Sequence, residues 1–259
     1  MIESDSKSFD GEIFRRYDLH NECMGKKQKI NISNNALLLF NQDDGNSVFT
    51  YQRRVHEKIE SKVLISTGVA GDSVGIFPIP PIFIPKQISE NIYLKFDAPI
   101  IVDQNEEIEI YAKIPIDIGV YRQSRDEEFM MDVFSINKPR YTLYGTPERG
   151  AVCRFAVTEV SKEPLLVKKY EEAIIRIRIK NSIENIIKIN KVIIPVKDVI
   201  LDHKNDDSLM SGIVEMTLDS TFSKEVVSVR LMDAKVKRPD ITSAAAKGDI
   251  RQFTMDAGY

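Results

Sequence analysis

Residues 173–180 read AIIRIRIK, so that Ile175, Ile177 and Ile179 alternate with Arg176, Arg178 and Lys180. Successive side chains of an extended strand point to opposite faces, so a period of two gathers the isoleucines on one side and the cations on the other. A strand with one dry and one wet face suits antiparallel sheets packed face to face. It does not suit a parallel sheet covered by helices on both sides.

The same period recurs along the chain. Ile92, Leu94 and Phe96 alternate with Tyr93 and Lys95, and Ile108, Ile110, Ala112 and Ile114 alternate with Glu107, Glu109, Tyr111 and Lys113. Val214, Met216 and Leu218 repeat it, as do Val227, Val229 and Leu231. Between these runs lie turn-forming clusters such as Asp43-Asp44-Gly45-Asn46, Asp103-Gln104-Asn105 and Asn205-Asp206-Asp207. Helical spacing is confined to Tyr51, Val55 and Ile59, which predict at most one short helix. The expected fold is all-β, built as two antiparallel β-sandwich-like modules.

The polar stretch Ser161-Lys162-Glu163-Pro164 interrupts the strand pattern and marks the expected boundary. It divides an N-terminal sandwich, 1–163, from a small immunoglobulin-like sandwich, 164–259, with strands over 173–180, 186–194, 198–202, 212–218 and 226–235. The tail from Arg238 is expected to be loosely held, with Phe253 to Met255 able to add a last strand.

A chain of 259 residues, 42% hydrophobic and 29% charged, can bury a substantial core, which excludes global disorder. The net charge of −3 provides no global field for nucleic acid or an anionic membrane, so nucleic acid is the least expected partner. No basic region followed by an apolar stretch opens the chain, and the most apolar run, Gly75 to Pro85, is broken by four prolines. Neither a secretory signal nor membrane insertion is expected. Cys23 and Cys153 are too few for a disulfide framework, and a cytoplasmic location follows.

Several motifs imitate chemistry. Gly71-Asp72-Ser73-Val74-Gly75 matches the G-x-S-x-G elbow, with His203 downstream. The elbow needs a helix after the serine, and Pro78, Pro80 and Pro81 deny it one. The segment is therefore expected to be a turn. His20 and Cys23, at i and i+3, lack the further ligands that structural zinc requires. Asp202, Asp206 and Asp207 lack the EF-hand pattern. No metal or cofactor is implied. The proline-rich stretch through Phe77, Ile79, Ile82, Phe83 and Ile84 is expected at a sheet edge or as a lid, with a partner-binding ridge as the alternative.

One segment bears on function. Residues 139–144 and 151–160 have the pattern of a hairpin turning at Gly145–Gly150. Pairing Tyr144 with Val152, and hence Thr142 with Arg154, segregates the faces. Tyr141, Leu143, Cys153 and Phe155 then form a core side, and Arg140, Thr142, Tyr144 and Arg154 a polar side. Cys153 becomes a buried thiol with a raised pKa. Lys138, Arg140, Tyr144 and Arg154 become the candidate contact residues, since arginine offers a planar fork to a carboxylate or phosphate. Asp126, Glu127, Glu128 and Asp132 just upstream can neutralise that face internally.

The run DVFSINKPRYTLYG (132–145) with GAVCRF (150–155) resembles the core signature of an uncharacterised archaeal protein family of unknown function. PIDIGV (115–120) is similar to it too, and the resemblance covers residues 92–160. It implies an archaeal, cytoplasmic protein and brings no catalytic residues.

The function expected is a non-enzymatic binding or assembly module whose partner is another protein or a second copy. The alternative is a receptor or enzyme for an anionic or sugar-like substrate, positioned by Arg140, Arg154 and Tyr144 with Asp132 as base.

Overall fold

A computed structural model describes residues 13–23, 27–41, 48–67, 71–81, 89–124, 127–195, 200–204, 207–221, 224–232 and 252–254. In chain order the elements begin with β1 (Arg16–Asp18), α1 (Leu19–Glu22), β2 (Lys27–Ile32), β3 (Asn35–Asn41), β4 (Val48–Val55), β5 (Lys58–Ser66) and β6 (Ser73–Ile79). They continue with β7 (Asn91–Val102), β8 (Glu107–Pro115), β9 (Asp117–Ser124), β10 (Glu127–Phe134), β11 (Tyr141–Tyr144), β12 (Ala151–Thr158) and β13 (Val160–Ser161). The last are β14 (Glu172–Asn181), β15 (Ile187–Pro195), β16 (Ile200–Lys204), β17 (Asp207–Thr221), β18 (Lys224–Met232) and β19 (Gln252–Thr254). The fold is all-β, as the period-two alternation predicts. No helix among the described residues is long and apolar enough to cross a membrane.

The chain forms two compact units, the first from Met1–Pro78 and Ile118–Ile136, the second from Ile79–Asp117 and Asn137–Tyr259. In the first, β2-β3-β4-β5 form an antiparallel meander, and β1-β6-β9-β10 form a second four-stranded sheet. The short helix lies at Leu19–Glu22 and not at Tyr51–Ile59, where the structure has the β4-β5 hairpin. The hairpin prevails because Phe49 and Tyr51 bury fully, and the turn residues His56 and Glu57 both take positive φ, 47° and 65°. Such a two-residue turn matches the twist of paired strands. Asp18 caps α1, its Oδ1 accepting from the backbone N–H groups of His20 and Asn21 at 2.9 and 2.8 Å.

The proline-rich segment differs from its expected edge or lid position. Its first part is β6, an interior strand between β1 and β9. Ile76 donates its N–H toward β1, to Arg15 O at 3.0 Å, so the nitrogen of Pro78 points to the same side. The β1 pairing register ends at Gly75, and the missing donor of Pro78 falls beyond that ladder. Ile82, Phe83 and Ile84 lie outside the described residues.

The second unit is a two-sheet sandwich. One sheet has the order β11-β12-β7-β15, the other β13-β8-β14-β17-β18-β19 with β16 paired to β17. Ile92, Leu94 and Phe96 from the first pack in one buried cluster with Ile175, Ile177 and Ile179 from the second. Each such side chain contributes about 1.5–3 kcal/mol through burial. Antiparallel pairing dominates, with β12–β7 and β14–β17 as parallel ladders. On the wet face of β14, Arg178 pairs with Glu107 and Glu109, both at 3.3 Å, and Arg176 with Glu109 at 3.7 Å.

The boundary expected at Ser161–Pro164 lies inside this unit. β14 pairs with β8 along nine positions, and β15 pairs with β7, so strands from both sides of Pro164 share each sheet. The polar stretch is a surface connection between strands of one sandwich. The expected last strand appears as β19, paired to β18; the rest of the tail from Arg238 lies outside the described residues.

Candidate functional site

The hairpin forms with Gly145–Gly150 as its turn, but in a register one residue from that expected. Tyr141 faces Arg154, Thr142 faces Cys153, Leu143 faces Val152 and Tyr144 faces Ala151. The tight loop is one cause: Thr146 O accepts from the N–H groups of Gly150 and Arg149 at 2.6 and 3.2 Å, which brings Ala151 opposite Tyr144. The other cause is a partner for the arginine. Arg154 Nη2 reaches Asp117 Oδ1 at 3.3 Å with only 3% and 0% of the two side chains exposed, and Nη1 donates to the Tyr141 hydroxyl at 3.2 Å. Arg154 is thus not on the expected wet side, because a buried carboxylate makes its burial tolerable.

One slip moves every side chain to the other face. Arg154 and Arg140 therefore point to opposite sides of the sheet and form no common patch. Arg154 belongs to the interior with Tyr141, whose hydroxyl pKa is raised by burial against the opposing effect of the Arg154 hydrogen bond. Lys138 is exposed ahead of β11, and Leu143, expected in the core, is 43% exposed. Cys153 is buried as expected, its thiol pushed up to about 11 by desolvation.

Arg140 and Tyr144 remain on the outer face, joined by residues from other strands. β12 and β7 run in parallel with Phe155 beside Tyr93 and Val157 beside Lys95, while β15 places Lys191 opposite Lys95. The Arg140 guanidinium lies 5.1 Å from the Phe155 ring centre, Phe155 lies 5.8 Å from Tyr93, and Tyr93 lies 6.3 Å from Tyr144. Lys191 Nζ sits 5.7 Å from the Tyr93 ring. Cations at these distances are attracted to the ring faces, each by about 0.5–1 kcal/mol where exposed. Among the described residues no carboxylate lies within ion-pair distance of Arg140, Lys95 or Lys191.

Sequence reasoning missed Tyr93, Lys95 and Lys191 and assigned Phe155 to the core. The signal available was the alternation in 92–96, which sets Tyr93 and Lys95 on the wet side of their strand.

The remaining candidates have structural occupations. Ser73 opens β6 opposite Asp18 with strand, not helix, after it, so the elbow geometry is absent. His20 Nε2 lies 3.2 Å from Thr67 Oγ1 and its ring packs edge-on to Phe49. Asp132, the base in the enzyme reading, accepts at Oδ2 from the Tyr51 hydroxyl at 2.9 Å and from Arg53 Nε at 2.8 Å. The side chains of Asp202, His203 and Asp207, and residues 205–206, lie outside the described set.

No curated protein and no solved structure matches this chain. A family model matches residues 13–257 and so takes in both units and the whole hairpin. The chain belongs to the family described as "Protein of unknown function (DUF432)".

Proposed function

We propose that this protein is a non-enzymatic binding module that takes an anionic partner on the outer face of the β11-β12-β7-β15 sheet. The observation that carries the reading is the cross-strand pair Lys95–Lys191, two like charges directly opposite one another on the sheet that also carries Arg140, with no described carboxylate to neutralise them. Like charges so placed destabilise a sheet, and an anion bound between them removes that cost. The other sheet provides the contrast, because its outer arginines are already matched by Glu107 and Glu109. An archaeal, cytoplasmic setting belongs to the same proposal, and the free thiols Cys23 and Cys153 accord with a reducing compartment.

The test compares retention of the purified full chain on polyglutamate, heparin and oligonucleotide supports at low salt. Wild type is expected to be held by at least one of them, and K95E/K191E to elute with the void. K62E/K162E, which changes net charge equally at exposed positions elsewhere, should behave as wild type. Equal elution of K95E/K191E and wild type on every support would remove the basis of the reading.

A further inference from the structure

We infer that the anionic partner is single-stranded nucleic acid, with bases stacked on the Tyr93, Phe155 and Tyr144 rings and phosphates held by Arg140, Lys95 and Lys191. The inference rests on the binding face proposed above and names its ligand.

The composition of the face decides among polyanions. An acidic peptide without aromatic side chains would use the cations and leave the three rings unused, and a sulfated sugar would offer them only C–H faces. Every nucleobase has a flat π-face, and unpaired bases stack on aromatic side chains and on arginine planes. Here the rings form a connected row, Phe155 to Tyr93 at 5.8 Å and Tyr93 to Tyr144 at 6.3 Å, with the Arg140 guanidinium over its outer end. Lys95 follows Tyr93 by two residues on the same side of β7, a step of about 7 Å along the strand. Lys191 stands across from it. Cations thus stand at both ends of the Phe155–Tyr93 pair, Arg140 just ahead of β11 and Lys95 and Lys191 towards β15, so a single strand crossing the sheet meets rings between phosphate-binding cations. An open sheet face accepts splayed bases, whereas a duplex keeps its bases stacked inside and offers the rings nothing.

The net charge of −3 made nucleic acid the least expected partner, because it was read over the whole surface. Single-strand binding needs only a local basic track, and the carboxylates that offset the total include Glu107 and Glu109, already paired on the other sheet. Three phosphate contacts predict a slope of log K against log salt of about −2 for a single strand.

Fluorescence anisotropy with labelled 12-mers of deoxythymidine and of uridine tests this, alongside a duplex of equal length and polyglutamate of equal charge. Support is single-strand binding at least tenfold tighter than duplex or polyglutamate, a salt slope near −2, about tenfold weakening in Y93L/F155L and a flatter slope in K95E/K191E. Should the leucine variants fail to fold, ultraviolet crosslinking of wild type to a 5-bromouridine 12-mer must mark Tyr93, Tyr144 or Phe155. Polyglutamate bound as tightly as the single strands, with crosslinks absent from those rings, overturns the nucleic-acid inference and leaves the anion-binding face standing. Failure of wild type to bind any of the probes overturns both.

Discussion

Arg154 and Asp117 form an ion pair at 3.3 Å in the interior of the second unit, braced by the Tyr141 hydroxyl on the guanidinium and by Ser89 Oγ, which accepts the Arg154 N–H at 2.9 Å. Removing one partner strands the other charge in a desolvated site, which costs about 3–5 kcal/mol. Arg154→Met is expected to lower unfolding stability in urea by that order. R154M/D117L, which removes both charges, is expected to recover most of the loss. A single variant within 1 kcal/mol of wild type would mean that water reaches the pair.

Cys23 and Cys153 are buried, and desolvation holds their thiols up to about 12 and about 11. The thiolate is the nucleophile, so at pH 8 neither should react with Ellman's reagent in the folded protein. Two equivalents should appear on denaturation. Rapid native labelling of Cys153 would show that the β11–β12 hairpin opens readily.

Arg15 grips Glu22 through two hydrogen bonds of 3.0 and 2.7 Å and thereby lowers the Glu22 carboxyl pKa, burial opposing it. A depressed carboxyl contributes stability above its unfolded pKa of about 4.3, and the contribution disappears as pH falls through the lower folded value. Glu22→Gln should therefore lower the melting temperature at pH 7 and approach wild type below pH 3. A gap between the two melting curves that stays constant down to pH 2 would assign the Glu22 contribution to packing instead of charge.

The hairpin turn depends on glycine at Gly150, where a Cβ would stand 2.6 Å from Thr146 O and 2.8 Å from Tyr144 O. These are backbone atoms and cannot swing aside. Gly150→Ala is expected to cost about 1–3 kcal/mol as the loop is forced outward. Faster hydrogen exchange of the β11 and β12 amides would report it, with the β14 amides unaffected.

How far the sequence was legible follows from what alternation encodes. The run Ile175-Arg176-Ile177-Arg178-Ile179 specifies a strand and its faces, because one side meets a core and the other water. It says nothing about the neighbouring strand, so the pairing of β14 with β8 and β17, and of β15 with β7, was not readable. A polar loop at Pro164 then passed for a domain boundary. At the hairpin, Arg154 misled for a definite reason: its counter-charge, Asp117, lies 37 positions earlier, and no local pattern announces such a pair. The cation-aromatic face was half visible, with Arg140 and Tyr144 in one segment and Tyr93, Lys95 and Lys191 on strands that only the fold makes adjacent.

The division of the chain into interleaved units sets an order on its synthesis. The first unit has all of its segments once Ile136 has been made, but β7 must wait for β15, whose first pairing residue, Ile187, emerges about 85 residues after Val102. At ribosomal speeds that is roughly 4 to 17 seconds. Early in that interval β7 and β8 lack all their partners; β12, β13 and β14 then emerge, and the second edge of β7 stays open until β15 arrives. A nascent chain in this condition is at its most aggregation-prone. The lysines and glutamates on the wet sides of those two strands are then its principal protection against sticking to another copy.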